Sequence, residues 1–320
     1  MKLTFVCLVF GLGLVRPGVA AQQVEYVITG TRIVQFDSSG DFLLQFGGTG
    51  TSNGLFQLPS GIAVDGNNGH VWVSDAILNR VQEFDFNGNF ITQFGSTGTA
   101  PGQLLGPYGL AIDSASNVWV ADTGNNRIQE FTSTGGFVQS FGTLGGGNGQ
   151  FNAPVGVAIG GCPPDGNACV GTLLLVSDTG NYRIQEFTLN GSAPPVFFLN
   201  FGRYGNGGGT FAGPFEINFC LGGTCAVVAD PYNQVIQEFL PAFGDAAPVG
   251  TIGSFFYKFT YPSPYGVAAD PNSVIWAVDY NGNKVVSIGP TDTSFGVTGG
   301  GPGQLFHPTY IAIGLKSAAP

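Results

Sequence analysis

The chain has 320 residues, 53 of them glycine, with only 9% charged side chains and a formal net charge of −10. Ten Lys and Arg against twenty Asp and Glu exclude a phosphate-binding surface, which needs clustered cations; nucleic acid and anionic membranes are therefore unsuited partners. Length alone allows one large domain or two ordinary ones, and the glycine content suits an all-β chain with many tight turns.

At the start, Met1-Lys2, the apolar run 3–15 and the small residues Gly18-Val19-Ala20-Ala21 read as a secretory signal peptide over residues 1–21. The apolar run is too short to span a bilayer comfortably. The expected location is extracytoplasmic, secreted or periplasmic, with no membrane span after signal removal. Cleavage takes Cys7 away and leaves Cys162, Cys169, Cys220 and Cys225. An even number in an exported chain points to disulfides. Position suggests Cys162–Cys169 and Cys220–Cys225, each pair in the loop after a first strand. A four-cysteine zinc site is the rival, but neither pair has the two-residue gap of a typical zinc knuckle.

Three strand-like runs come next: Val24–Ile28, Arg32–Phe36 and Phe42–Phe46. From there a phrase recurs, a proline, one variable residue, then a small or apolar run. It reads Pro59–Val64, Pro107–Ile112, Pro154–Ile159, Pro214–Ile217, Pro264–Val267 and Pro308–Ile311. The second copy shows the pattern best. Tyr108–Ile112 is a first predicted strand and Asn117–Ala121 a second. Asp122–Asn126 forms a turn, whose Gly and Asn accept left-handed backbone cheaply. Arg127–Phe131 is a third strand and Phe137–Phe141 a fourth. Four strands over about 45 residues match one propeller blade. Three further runs follow each of the first five phrases but not the sixth. The unheaded strands at 24–46 supply what the sixth copy lacks, so the two ends close one ring.

The repeats resemble the NHL-repeat family of β-propellers. The resemblance rests on Gly149-Gln150-Phe151, Pro154–Ile159 and Asp178-Thr179-Gly180-Asn181-Tyr182-Arg183-Ile184-Gln185-Glu186-Phe187, with the same order in the other copies. It implies an all-β fold, a six-bladed propeller of four-stranded antiparallel blades. One domain covers residues 22–316, with a short tail at 317–320. The departures fall at Glu216, Asn218 and Val235 in one repeat and Val286-Ser287 in the next.

Those departures guide the search for a site. An aspartate ends each second strand (Asp75, Asp122, Asp178, Asp230, Asp279), and three are followed five residues later by Arg80, Arg127 and Arg183. A device copied in every blade reads as structural. Glu216 and Asn218, by contrast, replace the Gly and Ala that other inner strands carry, and a carboxylate near the axis must find partners. The residues after each proline are Ser60, Tyr108, Val155, Phe215, Tyr265 and Thr309, with Tyr310 adjacent, and they belong at the channel mouth. Tyr108, Phe215, Glu216, Asn218, Tyr265 and Tyr310 are thus the ligand-binding candidates, for a protein or a small molecule. No catalytic residue is assigned. Related amidating lyases hold a metal on histidines after this proline, and none of the six positions is histidine. Calcium-dependent hydrolases with six blades use Glu, Asn and Asp near the axis. Calcium with Glu216 and Asn218 is therefore the enzymatic alternative to a monomeric binding module.

Overall fold

A computed structural model describes residues 22–161, 172–191, 193–220, 225–239, 255–260, 263–270, 274–288 and 293–316. The expected signal peptide at 1–21, Cys162, Cys169 and the tail at 317–320 lie outside the described residues.

Six four-stranded sheets form the molecule. Blade 1 comprises Pro59–Val64, Val71–Asp75, Arg80–Phe84 and Phe90–Phe94. Blade 2 runs Pro107–Ile112, Val118–Asp122, Arg127–Phe131 and Phe137–Phe141, and blade 3 Pro154–Gly161, Thr172–Asp178, Arg183–Leu189 and Val196–Phe201. Blade 4 contains Ile217–Cys220, Cys225–Asp230, Val235–Phe239 and Phe255–Thr260. Blade 5 contains Pro264–Ala269, Ile275–Asp279, Lys284–Ile288 and Ser294–Phe295. The sixth sheet joins Pro308–Lys316 to Gln22–Thr29, Arg32–Asp37 and Phe42–Gly47. There the strand from the C-terminal side lies antiparallel to the first one, with Glu25 opposite Ile313 and Ile28 opposite Tyr310.

Each seam between consecutive blades has its own core. Val24, Tyr26 and Ile28 of blade 6 pack with Ile62, Val71 and Val73 of blade 1. Trp72 and Val81 of blade 1 meet Val118, Val120 and Phe131 of blade 2. Phenylalanines staple five of these seams: a fourth-strand ring meets a third-strand ring of a neighbouring blade at 4.3–5.0 Å in the pairs Phe46–Phe84, Phe94–Phe131, Phe141–Phe187, Phe201–Phe239 and Phe36–Phe295. Burying so many rings against neighbours makes the ring of blades one cooperative unit.

The connections are ordered by the same logic. Parallel bridges Thr49–Phe56, Thr97–Leu104, Leu144–Phe151 and Tyr204–Phe211 tie four of them down. A fully buried side chain anchors each of these four, Phe56, Leu104, Phe151 or Phe211, and Leu305 anchors the one before Pro308. These glycine-rich stretches are staples between blades rather than linkers.

Near the axis, glycine sets the spacing. A Cβ on Gly61 would lie 2.2 Å from the Tyr108 carbonyl oxygen, and one on Gly109 would lie 2.4 Å from that of Val155. Gly156 faces the Phe215 carbonyl at 2.3 Å and Gly266 that of Thr309 at 2.8 Å. Inner strands therefore approach each other as closely as backbone allows. Glu216 and Tyr310 occupy the equivalent position in the other two blades. In blade 4 the ladder starts only at Ile217, whereas the other inner strands start at the proline.

Candidate functional site

The antiparallel ladders put the start of each inner strand beside the end of the second, with Pro107 opposite Asp122 and Asp122 opposite Arg127. The proline phrases, the aspartate turns and the blade connections thus share one face of the ring. The loops between first and second strands lie on the other.

On the first face each aspartate organises its turn. Asp122 accepts from Arg127 Nε at 2.7 Å, Asn125 Nδ2 at 2.8 Å, Gln129 Nε2 at 2.9 Å and the Leu105 amide at 2.7 Å. Asp178 repeats the set with Arg183, Asn181, Gln185 and the Asn152 amide. Every oxygen is occupied, so these carboxylates are clamps between a blade and the connection before it. Blade 1 departs from the expected ion pair. Arg80 donates to the carbonyls of Ser52 and Leu55 and to Gln93, while Asp75 is filled by four backbone amides.

The channel mouth is different. Tyr108 meets Phe215 edge-on at 6.1 Å, and Phe215 meets Tyr265 edge-on at 5.3 Å and Tyr310 at 5.8 Å. Three other candidate residues, drawn from blades 2, 5 and 6, therefore converge around Phe215 of blade 4. Tyr108, Phe215 and Tyr265 are half-buried and Tyr310 is buried. Ser60 and Val155, at the equivalent position in blades 1 and 3, are buried and stay out of the cluster. Ser60 instead donates to the Pro107 carbonyl at 2.7 Å, a stitch between blades.

Glu216 is 6% exposed, and its Oε2 has no hydrogen-bond partner. Burial, with nothing to offset it, pushes this carboxyl well above the usual carboxylate range. The Tyr310 hydroxyl is likewise buried without a partner. Its acidity is suppressed first by burial, then by Glu216, Tyr108 and Tyr265. A carboxyl and two phenols thus act on the Tyr310 hydroxyl at the mouth. Asn218 is half-buried two residues along the same strand, opposite Val227 in the ladder. Glu216 and Asn218 would supply two side chains toward calcium, which takes roughly six to eight oxygen ligands. Among the described residues no group of three or more His, Cys, Asp or Glu could hold a metal ion.

Two residues outside the sequence-derived set extend the cluster. Tyr280 lies 5.0 Å from Tyr265, and His307 stacks on Tyr280 at 4.4 Å. Their positions carry a signal: Tyr280 directly follows the blade 5 aspartate, and His307 directly precedes the blade 6 proline. Both markers belong to the mouth face.

Comparison with known proteins agrees with this architecture. The NHL repeat model matches residues 56–84 and 104–131. No curated protein sequence matches the chain. Among solved structures, a chain of a nidogen/laminin complex superposes with a TM-score of 0.62 at 14% identity, over 92% of this chain and 99% of that one. Virginiamycin B lyase from Staphylococcus aureus gives 0.52 at 20% identity, over 79% and 73%. A streptogramin B lyase gives 0.52 at 18%, over 74% and 67%. At such identities the likeness is one of fold. The chain therefore carries NHL repeats, matched at 56–84 and 104–131, within a six-bladed β-propeller.

Proposed function

We propose that this propeller is an exported, monomeric binding module that takes a protein or small ligand at the aromatic mouth of its channel. One observation carries the reading: a buried Glu216 carboxyl with one oxygen unpartnered acts on Tyr310, part of a ring cluster gathered from four blades. A buried polar atom without a partner costs stability, and such a cost is characteristic of a site kept for binding. NHL-repeat propellers generally serve as interaction modules, which fits the family match. Export rests on the apolar leader at 1–21. The Cys220–Cys225 disulfide is supported by the ladder, in which those two residues are partners. Intact mass before and after reduction and alkylation tests it, and a free thiol at either position counts against it.

The test of binding separates stability from function. The double variant Glu216→Gly/Asn218→Ala restores the residues of the other blades, so the protein should fold with an equal or higher thermal midpoint. A thermal-shift panel of amines, oligosaccharides, peptides and calcium chloride is applied to both proteins. Ligands that raise the midpoint of the wild type and leave the double variant unmoved support the reading. Hits that survive the double substitution, or a double variant that fails to fold, overturn it. The alternative, a calcium-dependent hydrolase or lyase centred on Glu216 and Asn218, requires calcium alone to give the largest shift.

A further inference from the structure

We propose that the mouth recognises an ammonium group, held over the rings of Tyr108, Phe215 and Tyr265 with Glu216 as its counter-charge. This rests on the binding reading above and names the ligand chemistry. Three observations point the same way. First, the rings of Tyr108 and Tyr265 stand at 86° and 82° to Phe215, so the cluster presents aromatic walls in two directions. Aromatic faces attract a cation within about 6 Å of the ring centroid, and such walls suit substituted ammonium ions. Centroid separations of 5.3 and 6.1 Å let one cation act on two rings at once.

Second, Glu216 supplies a carboxyl with an open acceptor. It is more than nine-tenths buried, its Oε2 lacks a partner, and it acts on the phenol of Tyr310, as Tyr108 and Tyr265 also do. No Lys or Arg pairs with it among the described residues. A neutral apolar ligand would leave this oxygen unsatisfied, and an anion would be repelled by it once ionised. An ammonium answers both the oxygen and the rings. Third, the arginines that open the third strands of blades 1, 2 and 3 are already engaged. Arg80, Arg127 and Arg183 are locked into turns and connections, so no side chain of that set is free to fill the role.

Cation binding should be linked to proton release. Burial keeps the Glu216 carboxyl protonated over a range in which an exposed one is ionised. The incoming positive charge favours the carboxylate, and the proton leaves to solvent. Tyr310 is held even further from ionisation, and so the carboxyl is the group that responds.

The experiment compares choline chloride, N-acetyl-lysine methylamide and 3,3-dimethylbutan-1-ol on the full-length protein, by calorimetry in two buffers of different ionisation enthalpy. The last compound is the uncharged carbon analogue of choline. At least one cation should bind about tenfold or more tightly than this analogue, with proton release that Glu216→Gln abolishes. Choline and the lysine derivative distinguish a free quaternary ammonium from a protein side chain as the source. Tyr265→Leu, whose carboxyl is intact, should weaken the cation by a similar factor should Glu216→Gln fold poorly. Equal binding of the uncharged analogue sinks the ammonium assignment and leaves the binding module standing, as do oligosaccharide or uncharged-peptide hits that the double variant loses. Failure of both cations to bind, with no other hit at the mouth, overturns both readings.

Discussion

At the level of single residues, the mouth is made by two exceptions to a glycine rule. Gly61, Gly109, Gly156 and Gly266 let neighbouring backbones touch, and Glu216 and Tyr310 break that rule where the site forms. The first exception is readable in the sequence because the repeat supplies its own reference: Glu216 stands out against the four copies that carry glycine. The convergence on Phe215 was not readable, since spacing within a blade says nothing about which blades meet across the axis. Tyr280 and His307 were overlooked for the same reason. Another residue breaks pattern without reaching the mouth. Glu186 is fully buried, and neither of its oxygens has a partner among the described residues. Its counterpart Glu130 is held by Asn117 and Gln139. Burial pushes Glu186 up to about 8, and Glu25 rises to about 7, also mainly by burial. A carboxyl raised in the folded state binds protons that the unfolded chain releases. Its contribution is therefore full below the ordinary value near 4.5 and is lost as pH rises toward 8. Thermal stability should fall between pH 5 and pH 8, and Glu186→Gln should flatten that decline. A variant with the same slope as the wild type would show that Glu186 is not a source of it.

Blades and their turns obey repetition more strictly. Strand order and turn position could be read from the chain because each blade restates them. Details that depend on a particular neighbour could not. Arg80 looked like Arg127 and Arg183 in sequence, yet it reaches the carbonyls of Ser52 and Leu55 while backbone amides fill Asp75. The late start of the blade 4 inner strand is another such detail. Glycine at the close-approach points offers a direct measure of inner-strand packing. Gly109→Ala drives a methyl toward a backbone carbonyl that cannot swing away and should cost about 1–3 kcal/mol. Gly146→Ala, in a connection with nothing within 4 Å of the new Cβ, should stay within about 0.5 kcal/mol of wild type. Chemical denaturation of the two variants provides the comparison, and equal midpoints would refute the close-approach account.

For the whole molecule, six blades and the repeat family were legible from the recurring proline phrase and its following strands. Ring-shaped architectures write themselves in sequence through periodicity. Seams, however, are pairwise objects, and the phenylalanine staples appear only once blades are placed side by side. Because Leu305, Tyr310, Ile311 and Ala312 contribute to the cores on both sides of blade 6, removing residues 304–320 opens two seams together. The thermal midpoint should drop in one cooperative step, and an unchanged midpoint would mean that the sheet is closed by other contacts. The same arrangement has a consequence for how the gene could be rearranged. Gln22 and Lys316 are ladder partners in one sheet, so a few linking residues would join them without crossing the molecule. The start and stop of translation could then be moved into an exposed connection such as the one around Gly146. The permuted protein would carry every blade whole, its ring fastened by covalent chain within the sheet whose two end strands are now joined without it.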